Sequence, residues 1–325
     1  MRVTEHLERA DRPLISFEII PPLRGGDVKG LLTLIDDLVR YRPPFIDITS
    51  HAAEVIYDET PQGGIQRRVK RKRPGTLGVC ALIQNKYDID AVPHVLCHGF
   101  TREETEDFLI ELKYLGIDNV LAVRGDDSGY QKPLPYGRSA NRYASDLVRQ
   151  IAAMNRGKYL EEDLLDAEPS VFCVGVGGYP EKHFEAPNLD TDVRYTKAKV
   201  EAGGEYVVTQ MFFDNRHYFR YVEQCRQAGI EVPIIPGLKI LSTKQQLTSI
   251  PRNFYVEIPS QLSDEVLAAE PQHVLEIGVA WAQRQVEELL DRGAPSIHFY
   301  VMQSAKAITQ LLSRLDLAVR APRRG

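Results

Sequence analysis

The sequence predicts an α/β protein, a (βα)8 TIM barrel with extra helices, forming a single domain over residues 1–325 with residues 1–13 as an N-terminal extension. Three observations predict it. Eight short apolar runs alternate with segments of helical periodicity, as parallel strands joined by right-handed crossovers require. The runs are continuously apolar rather than alternating, which marks strands covered on both faces. Polar and charged residues gather just after these runs, at the strand ends where barrel enzymes place their chemistry. No GxGxxG lies between the first strand and its helix, so a dinucleotide-binding Rossmann fold does not fit.

The elements follow in order. Leu14–Ile20 is the first strand, stopped by Pro21 and Pro22, and a helix with Leu31, Ile35 and Leu38 on one face comes next. The second strand is Pro44–Thr49. A polar segment from Ser50 to Thr76 carries the basic run Arg67–Arg73, which reads as a solvated helix or loop, or as a dock for an anionic substrate tail. Thr76–Tyr87 reads as helical and Asp90–Cys97 as the third strand. The next helix has capping-box spacing at Thr101 and Glu104 and stops at Gly116. It feeds Ile117–Asp127, where a buried strand gives way abruptly to Arg124, Gly125, Asp126 and Asp127. Helix Tyr143–Met154, strand Val171–Gly177, helix Asp192–Ala202 and strand Tyr206–Phe212 come next. A helix with Tyr218, Val222 and Cys225 on one face leads to the seventh strand, Val232–Pro236. Short helices at Lys244–Ser249 and Asp264–Ala269 and a long one at His273–Arg292 precede the eighth strand, Ser296–Met302. A last helix carries Ile308, Leu311 and Leu315.

Composition removes several classes. The net charge of −5 argues against a nucleic-acid binder. Cys80, Cys97, Cys173 and Cys225 form no CxxC pair and read as reduced thiols of a cytoplasmic protein. The N-terminus has no apolar signal core, and no run reaches the roughly 18 apolar residues of a membrane span. A homo-oligomer acting on a small molecule is expected.

The strand ends present Glu18, Thr49, His94, Arg124, Gly125, Asp126, Tyr179, His183 and Gln210. In a barrel these converge on one mouth. A carboxylate inside a buried strand, as Glu18 is, costs free energy unless it has work or a partner. His94, Cys97 and His98 lack a second ligand cluster, so no metal is expected. Glu18 and Asp126 could by type form a glycosidase pair, but the aromatic platform of a sugar site is missing.

An ordered set of motifs then adds a family. SFEIIPP at Ser16–Pro22, PHxxC around His94, AVRGD at Ala122–Asp126 and YASDLV at Tyr143–Val148 come first. YPEKH at Tyr179–His183, TQMFFD at Thr209–Asp214, PGL at Pro236–Leu238 and HFY at His298–Tyr300 follow. Together, from about residue 14 to 318, the chain resembles methylenetetrahydrofolate reductase, a flavoprotein family with a (βα)8 barrel. The resemblance implies FAD as cofactor, NADH or NADPH as electron donor, and a folate substrate. By that likeness FAD contacts Thr49, His94, Arg124, Gly125, Asp126, Tyr143, Ala144, Tyr179, His183, Asp192 and Lys199. Glu18 becomes the proton donor to folate N10, its pKa raised by burial. Asp126 becomes a second catalytic carboxylate, disfavouring an anionic reduced flavin and accepting from the pterin. Gln210, Gln246 and Ile250 join Glu18 in substrate binding.

The chain departs from the family pattern in places. Tyr195 and Ala198 stand where asparagine and arginine are common on the phosphate side, leaving Lys197 and Lys199 to share that load. Ile250 replaces a stacking aromatic, and Ser304 replaces an arginine that holds the folate glutamate. No regulatory domain is expected after the barrel. Two other readings stay open at this point: a protein of the same fold fed by a partner electron carrier, and a non-catalytic folate- or flavin-binding module.

Overall fold

The computed structural model describes residues 1–125 and 132–315. Ten strands carry the main architecture or lead to it: β1 (Leu14–Ile19), β2 (Phe45–Ile48), the pair β3 (Glu54–Glu59) and β4 (Ile65–Lys70), β5 (Asp90–Leu96), β6 (Asn119–Val123), β7 (Cys173–Gly178), β8 (Tyr206–Thr209), β9 (Ile234–Ile235) and β10 (Gly237–Leu238); β11 (Ser296–Met302) completes the set. The large sheet runs β10-β11-β1-β2-β5-β6-β7-β8-β9. All its ladders are parallel. Its two end strands, β9 and β10, are consecutive in the chain and separated by Pro236 alone, which has no N–H to give a ladder. They are two halves of one stave, so the sheet closes into the eight-stave barrel that the alternation predicts. The seam is tight. Gly237 N–H donates to Thr209 Oγ1 at 2.9 Å, and a Cβ on Gly237 would meet Thr209 O at 2.2 Å.

Strand alternation divides the core. Outward residues such as Ile15, Phe17, Ile46, Val95, Val120, Val174 and Phe299 pack under the surrounding helices. Inward residues Phe45, Val92, Leu121, Cys173, Tyr206, Val208 and Ile235 fill the barrel together with Val3. Residues 1–13 are thus more than an extension. The helix Val3–Arg9 stoppers the floor, with Val3 N–H donating to Asn119 Oδ1 at 2.8 Å and Arg2 paired with Glu205. A third cluster, Met211, Phe213, Leu241, Ile250 and Val256, lies under the helices Gln246–Phe254 and Ser260–Ala268.

Three expected elements differ. The basic run divides: Arg67–Lys70 belongs to β4, which pairs antiparallel with β3 in a hairpin whose β4 residues are all exposed, while Arg71–Arg73 is loop, one of the two expected forms. Ile65 and Val69 share one face of β4 at period two, and PQGG between the strands supplies the turn, with Gly63 at φ 78°. The charge of the run obscures that period. Arg71 and Arg73 leave the hairpin and tie it to the barrel rim, donating to His51 O at 2.8 Å and Pro21 O at 2.7 Å. The fifth stave starts at Cys173, because Val171 is exposed. The sixth ends at Thr209, where Gln210 folds its carbonyl oxygen back onto Met211 N–H. Among the described residues no helix is long and apolar enough to cross a membrane.

Candidate active site

Three adjacent inward positions build the centre of the mouth. In the ladders Glu18 sits opposite Asp47 on one side and Tyr300 on the other. One stave further, His94 of β5 turns its ring toward them. Glu18 is 6% exposed, Asp47 0% and His94 9%, so three ionisable side chains share a nearly dry space. The register slips by one between Glu18 and Ile19, with Met302 at φ 69° on the facing strand. Bulges of this kind re-aim side chains beside active sites.

The electrostatics follow from distance. His94 Nε2 lies 3.4 Å from Glu18 Oε2 and 3.8 Å from Asp47 Oδ2, an ion-pair contact without hydrogen-bond geometry. His298 Nε2 stands 4.0 Å from Glu18 on the other side, and its Nδ1 is fixed by Ser16 Oγ at 2.9 Å. Burial pushes the Glu18 carboxyl up, but His94, His298 and Lys239 together outweigh it and leave it below its ordinary value. The expectation that burial raises the Glu18 pKa is therefore corrected: the cations around it win. Burial likewise pushes His94 down, and Glu18 and Asp47 overcome that and raise it. Between about pH 4.5 and 6.5 the proton of the pair therefore sits on His94 and the carboxylate is ionised.

The remaining predicted residues fall into two groups. Thr49, His94, Arg124, Gly125, Tyr179, His183 and Gln210 lie at or just beyond the strand ends, as expected. Thr49 Oγ1 is buried and has no partner. Gly125 has φ 88°, the left-handed backbone that favours glycine, and the preceding Arg124 pairs with Glu185 at 2.6 Å. Tyr143 caps the helix Ala144–Met154 and is half exposed. Asp192 and Lys199 are buried on the helix Leu189–Glu201: Asp192 accepts from His183 N–H at 3.2 Å, and Lys199 donates to Gly177 O. Burial pushes Lys199 down to about 8, with Asp192 pulling it back up. Tyr179, His183, Phe184 and Tyr255 form a row of ring contacts 4.6–4.7 Å apart along the rim.

Asp126 lies outside the described residues. Gln246 spends its side-chain oxygen on Ser242 N–H, Ser242 Oγ and Thr243 N–H, which closes the start of its own helix and leaves its amide N–H groups for a ligand. Ile250 is 4% exposed and packed in the cluster beneath that helix, so the structure does not bring it to the mouth surface. Sequence reasoning missed Asp47, His298, Ser16 and Lys239 as members of the site. Asp47 carried the same signal as Glu18, a carboxylate inside the apolar run PFIDIT. Lys239 directly follows PGL at a strand end and offered no periodic cue.

FAD can be tested against this mouth. A long flavin nucleotide needs hydrogen-bonding groups for its ring, a stacking surface, and donors for two phosphates. The orphan hydroxyl of Thr49, the aromatic row and the cationic side chains of Arg124 and Lys199 supply those types in one region, with the His183 ring beside them. The residues fit the group.

Comparison with known proteins agrees with this geometry. The profile of the methylenetetrahydrofolate reductase family matches residues 2–316. The 5,10-methylenetetrahydrofolate reductase of Salmonella typhimurium is 30% identical over 90% of this chain and 87% of its own. Methylenetetrahydrofolate reductase 1 of Schizosaccharomyces pombe is 30% identical over 96% of this chain and 47% of its own. The chain spans about half the length of that relative and of the plant ones it matches. A solved Clostridium thermocellum protein, described as binding two copies of 5-methyl-5,6,7,8-tetrahydrofolic acid, superposes with TM-score 0.56 at 13% identity. It covers 95% of this chain and 97% of its own, a likeness of fold alone.

Proposed function

Because the chain belongs to the methylenetetrahydrofolate reductase family, we propose that it reduces 5,10-methylenetetrahydrofolate to 5-methyltetrahydrofolate with FAD as cofactor and NADH or NADPH as electron donor. The observation that carries this reading is the buried Glu18–His94 pair at the strand ends. Methylenetetrahydrofolate is a closed five-membered ring and a poor hydride acceptor. Opening it needs a proton at the departing nitrogen, N10, and Glu18 delivers it. The flavin, when bound, supplies the hydride chemistry. Thr49, Arg124, His183 and Lys199 would hold it, and Gln210, its carbonyl oxygen turned onto Met211 N–H, orients the pterin with its amide N–H groups.

The proton on His94 makes the pair one unit with one proton to give. His94 Nε2 lies 3.4 Å from Glu18 Oε2, and folate binding that draws the two into hydrogen-bond geometry lets the proton pass from His94 to Glu18. From there it goes to N10. General-acid help of this kind is worth about 10²–10⁴ in rate.

Glu18→Gln tests the assignment. Reduction of the bound flavin by NADH or NADPH requires no proton at N10 and should run at near wild-type speed. Reoxidation by methylenetetrahydrofolate should fall by about 10²–10⁴. Equal slowing of both half-reactions, or of neither, refutes the role. Mass spectrometry of the released cofactor checks FAD itself, and recovery of FMN would overturn that part.

A further inference from the structure

Asp47 is fully buried in β2, and neither of its carboxylate oxygens has a hydrogen-bond partner. Its strand neighbours Phe45, Ile46 and Ile48 are fully buried as well. A charge in such surroundings costs free energy unless it has work. We infer that Asp47 is a positioning residue for the proton: it holds His94 as the imidazolium that supplies Glu18, and takes no proton itself. This rests on the reading of Glu18 as the acid.

Placement argues first. Asp47 stands opposite Glu18 in one ladder and opposite Val92 in the other. His94 comes two residues after Val92, on the same face of β5. Its Nε2 reaches both carboxylates, 3.4 Å from Glu18 Oε2 and 3.8 Å from Asp47 Oδ2. Among the described residues His94 is the one cation within ion-pair distance of Asp47. The two imidazoles beside Glu18 are held differently. His298 Nδ1 meets the hydroxyl of Ser16 at 2.9 Å, whereas His94 meets a second carboxylate. A hydroxyl can serve either form of an imidazole, but a carboxylate within about 4–6 Å favours the charged one. The layer therefore marks His94, rather than His298, as the proton store.

Electrostatics argues second. Burial drives His94 toward its neutral form, and Glu18 and Asp47 together reverse that. The other titratable groups facing Asp47 are Cys80 of the helix Thr76–Tyr87, Tyr206 of β8 and Tyr300 of β11. Burial pushes all three up, so they stay uncharged. His298 and Lys239 act on Glu18 from the side of β11. The Asp47 charge is thus left to His94. In the reaction the proton leaves His94 Nε2 for the Glu18 carboxylate and goes on to N10, which takes it as the C–N10 bond breaks. Asp47 stays ionised throughout, and solvent reloads His94 when product leaves the mouth. Without Asp47 the store should empty about one pH unit sooner.

The test uses the flavin-loaded protein and the variants Asp47→Asn and Asp47→Val, with Glu18→Gln beside them. Reoxidation of the reduced flavin by methylenetetrahydrofolate should slow as pH rises through the folded value of His94. In both Asp47 variants that alkaline limb should move down by about one pH unit, so the loss is about tenfold above the limb and vanishes at the acid end. A carboxylate that merely serves the fold would lower the rate alike at every pH. Flavin reduction by NADH or NADPH is the control, and there the ratio of variant to wild type should be flat with pH. Carbon-13 NMR of labelled histidine reads the same group without turnover. The His94 signal, assigned by its loss in His94→Gln, should titrate above 6.5 in wild type and about one unit lower in the Asp47 variants. A wild-type His94 that titrates below 6.5 overturns the inference even if neither variant folds. A limb or an NMR titration unmoved in the variants overturns it too. If Glu18→Gln reoxidises at full rate, the reading of Glu18 itself fails. If Glu18→Gln is slow and His94 titrates alike with and without Asp47, only the role of Asp47 fails.

Discussion

The floor and the mouth of this barrel are made from the same strands and treat charge in opposite ways. At the floor, three groups of residues 1–9 meet carboxylate partners: the N-terminal ammonium on Asp90 at 2.8 Å, His6 on the same carboxylate at 2.6 Å, and Arg2 on Glu205 at 2.6 Å. At the mouth, both Asp47 oxygens, Thr49 Oγ1, His94 Nε2 and His298 Nε2 are buried without a hydrogen-bond partner. Two hydroxyls deeper in the barrel, on Tyr206 and Ser296, and Arg2 Nε at the floor share that state, so the contrast is one of degree: Arg2 still holds Glu205 through another guanidinium nitrogen. A buried polar atom without a partner costs about 1–3 kcal/mol. A barrel can stand such atoms on one end only if the other end is well tied. The floor keeps the fold, and the mouth keeps vacant hydrogen-bonding capacity for ligands.

The largest expected effect breaks the mouth. His94→Gln removes the cation that lies between Glu18 and Asp47 and leaves two buried carboxylates facing each other. Breaking a buried pair in this way costs about 3–5 kcal/mol, read as a lower unfolding midpoint in urea near neutral pH. The wild-type pair should also show itself in pH dependence. Glu18 is lowered from 4.5, so its contribution is present above about 4.5 and lost as pH falls through its folded value. His94 is raised from 6.5, so its contribution is complete below about 6.5 and lost as pH rises through its folded value. Stability from the pair is therefore full between about pH 4.5 and 6.5 and declines on both sides. A pH profile with the same shape in His94→Gln would contradict the pairing.

Legibility in the sequence follows the same division. The barrel was readable because each stave is a run such as PFIDIT or NVLAV, whose length and apolarity leave few alternatives. Glu18 was readable as a charge interrupting such a run. Asp47 carried the same signal and passed unnoticed, because its meaning depends on Glu18 and His94 being beside it, and only the ladder register shows that. The plug formed by residues 1–9 was not readable: Val3 and Leu7 are too few for a period, and burial comes from a cavity assembled by strands far along the chain. Lys239 fails for a similar reason, since its neighbours Glu18 and Tyr300 come from the two ends of the sequence. The direction of the Glu18 shift could not be read either, because burial and the surrounding cations act in opposite senses and only distances decide between them.

A smaller effect tests the floor. Asn119→Leu is close in volume but deprives Val3 N–H and Met1 O of their partners, at 2.8 and 2.9 Å. The orphaned Val3 N–H should cost about 1–3 kcal/mol. Because the floor is remote from the mouth, kcat and KM per folded molecule should hold. A fall in kcat without a fall in stability would show that the two ends are coupled.

Smaller again is Thr49→Val. The shape is kept and an unpartnered buried hydroxyl is removed. Without cofactor the variant should be as stable as wild type or up to about 1 kcal/mol more so, while flavin affinity falls by the worth of one hydrogen bond, about 0.5–1.5 kcal/mol. Thermal melts of the flavin-free protein and flavin titration read the two halves. Lost stability with unchanged affinity would mean that the hydroxyl serves the fold.

The smallest effect lies on the rim and sharpens the comparison, because there a carboxylate is strained without being central. Glu181 follows β7. Its Oε2 accepts from Glu257 N–H at 2.7 Å, and its Oε1 is buried without a partner. Burial, with the nearby carboxylates of Glu257 and Asp214, pushes it up to about 7 from an ordinary 4.5. Between those values the folded protein holds a proton that the unfolded chain has released, so stability falls as pH rises from about 4.5 to 7. Partial exposure lets solvent screen the effect and keeps it small. Glu181→Gln preserves the acceptor for Glu257 and cannot ionise. Its melting temperature should therefore decline less than that of wild type over this range and exceed it above pH 7, with the two converging near pH 4.5. Parallel melting curves across the range would show that Glu181 ionises there without cost, and that the strain of unpaired charge is confined to the Glu18, Asp47 and His94 layer.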